Sequence, residues 1–125
     1  MSEPYVLKLA AQRTDWLSTR QTLIAGNVAN ANTPGYRATD LQPFSSVLDA
    51  TQVSMTTTNP MHMMPSEQEL TAAHVVETNP TDETMSGNTV RLENEMIKLG
   101  DVNRDYTMGT NIKRALHQMM MSVLK

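Results

Sequence analysis

The 125-residue chain contains no cysteine, one tryptophan and one phenylalanine. Without cysteine, neither a disulfide framework nor a thiolate metal site can form. Aromatic residues make up only 4% of the chain and apolar residues 39%, which is below the share usual in globular domains. The length allows one domain, residues 1–125, with a modest core. The composition therefore does not favour a tightly packed globule that is stable alone.

Long apolar runs are also missing, and this excludes a membrane-spanning helix, which needs about 18 consecutive apolar residues. The first residues, Met-Ser-Glu-Pro-Tyr, lack the basic region and apolar block of a cleavable signal peptide. We therefore expect any export from the cytoplasm to use another route. The net charge of −3 argues against a nucleic-acid partner.

Basic residues are absent from the middle of the chain. Between Ala38 and Val90 there are seven acidic residues and no lysine or arginine, whereas the two ends hold all ten basic residues and six acidic ones. One interpretation is a solvated acidic loop region. The other is that neighbouring copies attract one another through surfaces of opposite charge, as a self-assembling protein could use.

The first of two amphipathic segments runs from about residue 4 to residue 31. Leu9, Trp16 and Leu23 recur at heptad spacing, and Ile24 and Val28 lie beside them. This spacing predicts a helix with a broad apolar stripe. Such a stripe needs more than one neighbouring helix, or one helix and further copies of the chain.

The second segment runs from about residue 88 to residue 125, and Asn88 or Thr89 can cap its start. Two interior glycines, Gly100 and Gly109, each cost about 1 kcal/mol relative to alanine, so this helix should need a partner to persist. Its apolar positions at helical spacing include Met96, Leu99, Tyr106, Ile112, Leu116, Met119 and Val123.

Between the two segments, residues 32–87 show no sustained period, and a short helix or strand fits only at Phe44–Leu48 and at Leu70–Val76. So long an irregular stretch suggests flexibility. We therefore expect an all-α fold, in which long N-terminal and C-terminal helices pack as a coiled-coil-like core and a largely irregular, flexible middle joins them.

The first helix should end in the string Asn-Val-Ala-Asn-Ala-Asn-Thr-Pro-Gly-Tyr. Its proline favours an extended conformation in the preceding residue, and its glycine readily takes the positive φ of a turn. By itself this string predicts a helix stop and a turn. Placed after a long N-terminal helix, it resembles the signature of bacterial flagellar axial proteins, the rod, hook and hook-associated group. The assembly-motif residues that the resemblance implies are Asn27, Asn30, Asn32, Thr33, Pro34, Gly35 and Tyr36.

The start of the second helix, from Ser86 to Met96, resembles the corresponding segment in the short proximal rod proteins of that family. The short total length also fits, because distal rod and hook proteins carry larger inserted domains. One departure is Arg91, where the family usually has an acidic residue that would favour the first helical turn. The matching positions at the helix start are Gly87, Asn88, Thr89, Val90 and Leu92.

The resemblance implies a structural subunit of the proximal rod that polymerises helically into the drive shaft of the flagellum. It implies export through the flagellar type III channel without a cleaved signal, and a periplasmic location in the basal body. The stripe of the first helix would pack on the apolar positions of the second, and exposed parts of both would contact neighbouring subunits. Expected partners are copies of the chain, other rod subunits, the basal-body adaptor ring and the export gate.

Two other functions stay open, namely another short rod protein and a non-catalytic helical adaptor or export chaperone. Catalysis is not expected, because no spacing suggests a triad and no glycine-rich phosphate loop occurs. The tract Met61-His62-Met63-Met64 resembles those that hold copper, but a contact within a loop explains it better, since a metal site needs several converging ligands. We therefore expect neither a metal nor another cofactor.

Overall fold

Two long antiparallel helices form the body of the protein. The computed structural model describes residues 5–51, 74–78 and 83–125. The elements in chain order are α1 (Tyr5–Ala29), β1 (Thr39–Leu41), α2 (Phe44–Thr51), β2 (Val75–Glu77) and α3 (Leu92–Val123). Helices α1 and α3 pack together, and β1 lies against α1. The predicted fold class is confirmed, with one small sheet added.

The first helix ends close to the predicted boundary, at Ala29 rather than at about residue 31, while residue 4 lies outside the described residues. Asn30 forms the first turn after it. The backbone N–H of Asn30 donates to the carbonyls of Gly26 and Asn27 at 3.1 and 3.2 Å, and its side-chain amide donates to Gly26 at 2.8 Å. Asparagine therefore satisfies carbonyls that a helix end leaves without intrahelical partners.

Helix α3 begins at Leu92, four residues later than predicted, so the expected capping by Asn88 or Thr89 is wrong. Arg91 is the N-cap residue, with an extended backbone and no cap hydrogen bond from its side chain. The side chains of Asn88 and Thr89 are instead bound to the segment that follows α1. The side chains of Asn88 and Thr89 therefore form hydrogen bonds with a distant part of the chain and do not cap α3.

The buried core lies in one half of the helix pair, where β1 and α2 also meet it. Trp16 and Phe44 pack with their ring centroids 6.0 Å apart and their planes tilted by 59°, a favourable aromatic geometry. Burial of this apolar cluster is the main force that holds the elements together. Its buried members are Trp16, Leu17, Ile24, Leu41, Phe44 and Val102.

Among the described residues, β1 and β2 form one antiparallel pair, in which Asp40 of β1 faces Val76 of β2. Helix α2 confirms short order at Phe44–Leu48, and β2 covers the end of the other predicted segment, whose first four residues lie outside the described ranges. Strand β1 was not expected. None of the helices in the described ranges is long and apolar enough to cross a membrane.

Candidate functional site

The segment that follows α1 binds the loop that precedes α3. We call this region the junction and define it as residues 30–37 together with residues 83–91. Two backbone hydrogen bonds connect its halves. The N–H of Gly35 donates to the carbonyl of Ser86 at 2.9 Å, and the N–H of Thr89 donates to the carbonyl of Tyr36 at 3.0 Å. The two motifs that carry the flagellar resemblance are therefore in direct contact.

The side chain of Asn88 makes the densest set of contacts in the junction. Its amide nitrogen lies 2.9 Å from the carbonyl oxygens of Asn30 and Ala31 and 2.8 Å from that of Thr33. Its own oxygen accepts the N–H of Val90 at 2.7 Å. Because the residue is only 2% exposed, water cannot replace these bonds. Asn88 thus caps the end of α1 from a distant part of the chain.

Thr89 and Thr84 complete the hydrogen bonds around Asn88. The hydroxyl of Thr89 accepts the N–H of Ala38 at 2.8 Å. The hydroxyl of Thr84 accepts the N–H of Asn88 at 3.2 Å and donates to its carbonyl at 3.1 Å. Within the described ranges, no buried side-chain nitrogen or oxygen lacks a hydrogen-bond partner. The junction is therefore a fully satisfied polar network, which favours one well-defined conformation.

Asn27 connects three elements from a fully buried position in the last turns of α1. Its amide nitrogen donates to the carbonyl of Thr39 in β1 at 2.8 Å and to Glu95 of α3 at 3.1 Å. Its oxygen accepts the N–H of Thr39 at 3.1 Å and the hydroxyl of Tyr36 at 3.4 Å. A side chain thus takes the place of a neighbouring strand for Thr39, and this explains why so short a strand lies against the helix.

A chain of alternating charges continues from Glu95. Its carboxylate binds Lys98 at 3.0 Å, and Lys98 lies 3.6 Å from Asp40. Asp40 accepts two hydrogen bonds from Arg20, at 2.9 and 3.0 Å. This planar, two-pronged pairing is among the stronger charged interactions in proteins.

These contacts change the acidity of two groups. Burial alone would raise the pKa of Asp40, but the hydrogen bonds from Arg20 and Leu41, together with the charges of Arg20 and Lys98, hold the pKa below its ordinary value. The hydrogen bond to Asp40 raises the pKa of Arg20 despite partial burial. The pair therefore remains charged at neutral pH.

The structure brings most of the predicted assembly motif into the junction. Asn27 is buried, Asn30 and Tyr36 are half-buried, and the backbone of Thr33 and Gly35 bonds to the loop before α3. Asn32 and Pro34 are exposed. The matching positions before α3 lie opposite, and Gly87, Asn88, Thr89 and Val90 are half-buried or buried, whereas Leu92 is exposed. Their role in assembly stays a prediction.

The predicted helix-packing residues fall into two groups. Trp16 and Ile24 are buried, and Leu9, Leu23, Val28, Leu99 and Leu116 are half-buried. The second group, Met96, Tyr106, Ile112, Met119 and Val123, is 48% to 83% exposed. That second group contributes little to the core of a single chain, and its burial against neighbouring subunits stays a prediction.

Sequence reasoning assigned no packing or site role to Glu95, which is only 2% exposed. A signal was present, because Glu95, Leu99 and Val102 are spaced by four and three residues and so share one helical face. The carboxylate therefore occupies a position in the apolar seam. Leu17, Leu41 and Phe44 are also buried without having been assigned to the site.

The residues that the structure describes hold no cluster of side chains suited to a metal ion. No group of three or more histidine, cysteine, aspartate or glutamate side chains could hold a metal ion in residues 5–51, 74–78 or 83–125. The tract Met61-His62-Met63-Met64 lies outside those ranges. The polar groups described above bind one another, and what they can do chemically is hold backbone segments in place.

The chain is similar to known proteins over nearly its whole length. The family described as "Flagella basal body rod protein" matches residues 9–37, which cover most of α1 and the turn after it. The flagellar basal body rod protein FlgB of Agrobacterium fabrum is 39% identical over 96% of this chain and 92% of its own length. FlgB of Escherichia coli is 30% identical over 95% of this chain and 92% of its own, and FlgB of Salmonella typhimurium is 28% identical over the same shares.

Proposed function

Because this chain belongs to the FlgB family of flagellar basal body rod proteins, we propose that its junction and the exposed face of α3 together make it a load-bearing subunit. The chain is a structural subunit of the proximal rod. A subunit that transmits torque must keep its helices in a fixed relation under load. The satisfied network around Asn88 and Asn27 supports this role, since it connects the end of α1 to the start of α3 and the loop before it.

The proposed assembly mechanism rests on the large apolar surface that α3 exposes to solvent. After Val102, no residue of α3 is buried, and the large side chains at Tyr106, Met108, Ile112 and Met119 are 48% to 58% exposed. Apolar surface of this extent marks a protein interface in many proteins. Burying it against a different face of the next subunit would give a heterologous contact that propagates helically.

The partners that follow are copies of the chain and other rod subunits. We propose further that the methionine-rich end of α3, Met119 to Met121, contacts the adaptor ring or the export gate at the base of the rod. Methionine side chains repack easily and suit contacts with more than one partner. On this account the subunit lies in the periplasmic part of the basal body and reaches it through the flagellar export channel without a cleaved signal.

The proposed function is mechanical, and we propose neither catalysis nor a cofactor for this chain. The buried polar side chains support this, because each is bound to other groups of the protein within the described ranges. A reactive group would instead be expected in a cleft with a free face for a substrate.

Deletion of the gene in its own bacterium, followed by electron microscopy of isolated basal bodies and a swimming assay, tests this function. We expect membrane rings without rod or hook, no swimming, and recovery of both by the intact gene. Complete basal bodies and normal swimming in the deletion strain would contradict the proposal. A rod that is present while secretion of other subunits fails would instead favour an export adaptor.

A further inference from the structure

A set of polar side chains that we call the polar ring joins α1, α3 and β1. It consists of Asn27 and Arg20 on α1, Glu95 and Lys98 on α3, and Asp40 on β1. The contacts run from Asn27 to Glu95 at 3.1 Å, to Lys98 at 3.0 Å, to Asp40 at 3.6 Å and to Arg20 at 2.9 Å. The ring therefore begins and ends on the same helix.

The ring holds the part of the protein that leaves the helix pair. We call β1, α2 and β2 the arm, residues 39–51 and 74–78. Two adjacent residues attach the arm to both helices. The N–H of Thr39 donates to the side-chain oxygen of Asn27, and its carbonyl accepts from the Asn27 amide. Asp40 binds Arg20 of α1 and Lys98 of α3.

Apolar contacts and hydrogen bonds have different effects on the arm. Leu41 and Phe44 of the arm pack on Trp16, and this burial holds the arm close to α1. The free energy gained by burying apolar surface is proportional to the buried area and does not depend on direction. Hydrogen bonds and a two-pronged arginine–carboxylate pair fix distances and angles as well. The apolar cluster can therefore keep the arm attached, while its orientation depends on the ring and on the hydrogen bond from the indole N–H of Trp16 to the carbonyl of Gln42 at 3.0 Å.

We propose that Glu95 is a positioning residue that holds the arm at one angle to the helix pair. It is only 2% exposed, and it is the member of the ring that links α1 to α3 directly. Without it, Asn27 still bonds to Thr39, and Lys98 still faces Asp40. The bonds that fix Asn27 and Lys98 on the side away from the arm are lost, so the contacts of both side chains with the arm lose their fixed direction. Any effect of this angle on the transmission of torque rests on the proposed function, whereas the angle itself is a property of the isolated chain.

Glu95→Leu is the informative variant, because leucine suits the apolar seam and removes only one acceptor of the Asn27 amide, which keeps its bonds to Thr39. Removing one partner of a buried charged pair is destabilising, but Lys98 is only half-buried and keeps Asp40 as a partner, so we expect the variant to fold with reduced stability. Glu93→Leu is the matched control, since Glu93 lies exposed in the same helical turn. Glu95→Gln keeps an acceptor for Asn27 and should retain the wild-type angle.

Electron–electron distance measurements between spin labels on the purified full-length chain provide the test, and the absence of native cysteine makes the labelling specific. One label pair, at Glu77 and Asn103, spans the arm and α3, and a second, at Gln21 and Asn103, spans the two helices. All three sites are exposed. We expect Glu95→Leu to at least double the width of the arm–helix distribution while the helix–helix distribution stays narrow. Circular dichroism should show unchanged helix content.

The remaining outcomes count against the proposal. Narrow distributions for both pairs in Glu95→Leu would mean that packing of Phe44 on Trp16 orients the arm without the ring. Broad distributions for both pairs, or equal broadening in Glu93→Leu, would mean general loosening of the fold. Because these measurements use the isolated chain, their result is independent of whether the chain builds a rod.

Discussion

Gly35 and Gly87 lie against each other where the two halves of the junction meet. A β-carbon on Gly87 would lie 3.5 Å from the α-carbon of Gly35, an ordinary contact distance. Both residues have positive φ, 74° and 79°. Within the described ranges, no other residue has this conformation. The backbone geometry, more than the space available, therefore requires glycine at these two positions.

Gly87→Ala should destabilise the fold by about 1–2 kcal/mol, because an L-residue is strained in this region of φ. Urea unfolding followed by circular dichroism measures the change. Gly100→Ala is the matched control, since a β-carbon there meets nothing within 4 Å and the residue lies inside α3. We expect the control to stabilise the fold by up to about 1 kcal/mol. Changes of the same sign in both variants would refute this explanation.

Asn88→Asp should be among the most damaging single changes in the junction. Aspartate keeps the acceptor for Val90 but replaces the amide donor with a negative oxygen that faces three carbonyls. We expect a loss of about 3 kcal/mol, since buried carbonyls lose their partner and a charge is buried beside them. Urea unfolding again provides the measurement.

The control for that change is Asn94→Asp, which introduces the same charge at an exposed position near the start of α3. A negative charge at a helix N-terminus is mildly favourable. Its stability should therefore stay within about 0.5 kcal/mol of the wild type. If Asn88→Asp were equally harmless, the side chain would not be holding the end of α1.

Stability should also fall in acid through Asp40. Because the pKa of Asp40 is lower in the folded chain than its ordinary 3.8, the unfolded state binds more protons across this range. Its contribution is fully present above about pH 5 and is lost as the pH falls through 3.8 toward the folded pKa. Burial opposes this lowering of the pKa, and the hydrogen bond from Arg20 contributes most to it, followed by the backbone N–H of Leu41 and the charges of Arg20 and Lys98.

Unfolding curves between pH 2 and pH 6 check this, with the range chosen to bracket the ordinary carboxyl pKa of about 4. Asp40→Asn should reduce the decrease in the free energy of unfolding at acidic pH, and Arg20→Gln should do so as well. The double variant should add little to either single one, because both remove the same interaction. If the effects of the two changes were fully additive, the interaction between Asp40 and Arg20 would not be the cause of the loss of stability in acid.

Ile112→Asp should prevent rod assembly while leaving the isolated chain folded. The side chain is 48% exposed, so its replacement should change the stability of the chain by no more than about 0.5 kcal/mol. A charge at that position would be costly once a neighbouring subunit covers it. Asn111→Asp adds the same charge at the adjacent exposed position and serves as the control. The yield of basal bodies from complemented deletion strains is the measurement, and equal yields from both variants would place Ile112 outside any interface.

Local patterns predicted the two helices and the turn between α1 and β1. Heptad spacing of Leu9, Trp16 and Leu23 indicated α1, and Pro34-Gly35 indicated its end. The start of α3 could not be predicted in the same way. Asn88 and Thr89 are good caps and also good partners for backbone groups, and only the folded chain shows which use they have.

The candidate site was harder to predict, because its bonds join residues far apart in the sequence. Asn27 and Glu95 are separated by 68 positions. A glutamate near the start of a helix is explained well enough by the helix dipole, so the spacing that Glu95 shares with Leu99 and Val102 did not by itself indicate that its carboxylate is buried. Strand β1 was not predicted either, since three residues are too few to show an alternating apolar and polar pattern. On one side, moreover, β1 is bound by the side chain of Asn27 and not by another strand.

The most direct test of the account is the accessibility of Ile112 in the free chain and in intact basal bodies. A cysteine in place of Ile112 would be the only thiol in the chain, so a maleimide reagent reports on that position alone. We expect the purified chain to be labelled rapidly, and we expect the chain to copurify with basal bodies in which the cysteine is protected. Absence of the chain from basal bodies, or equal labelling in both states, would contradict it.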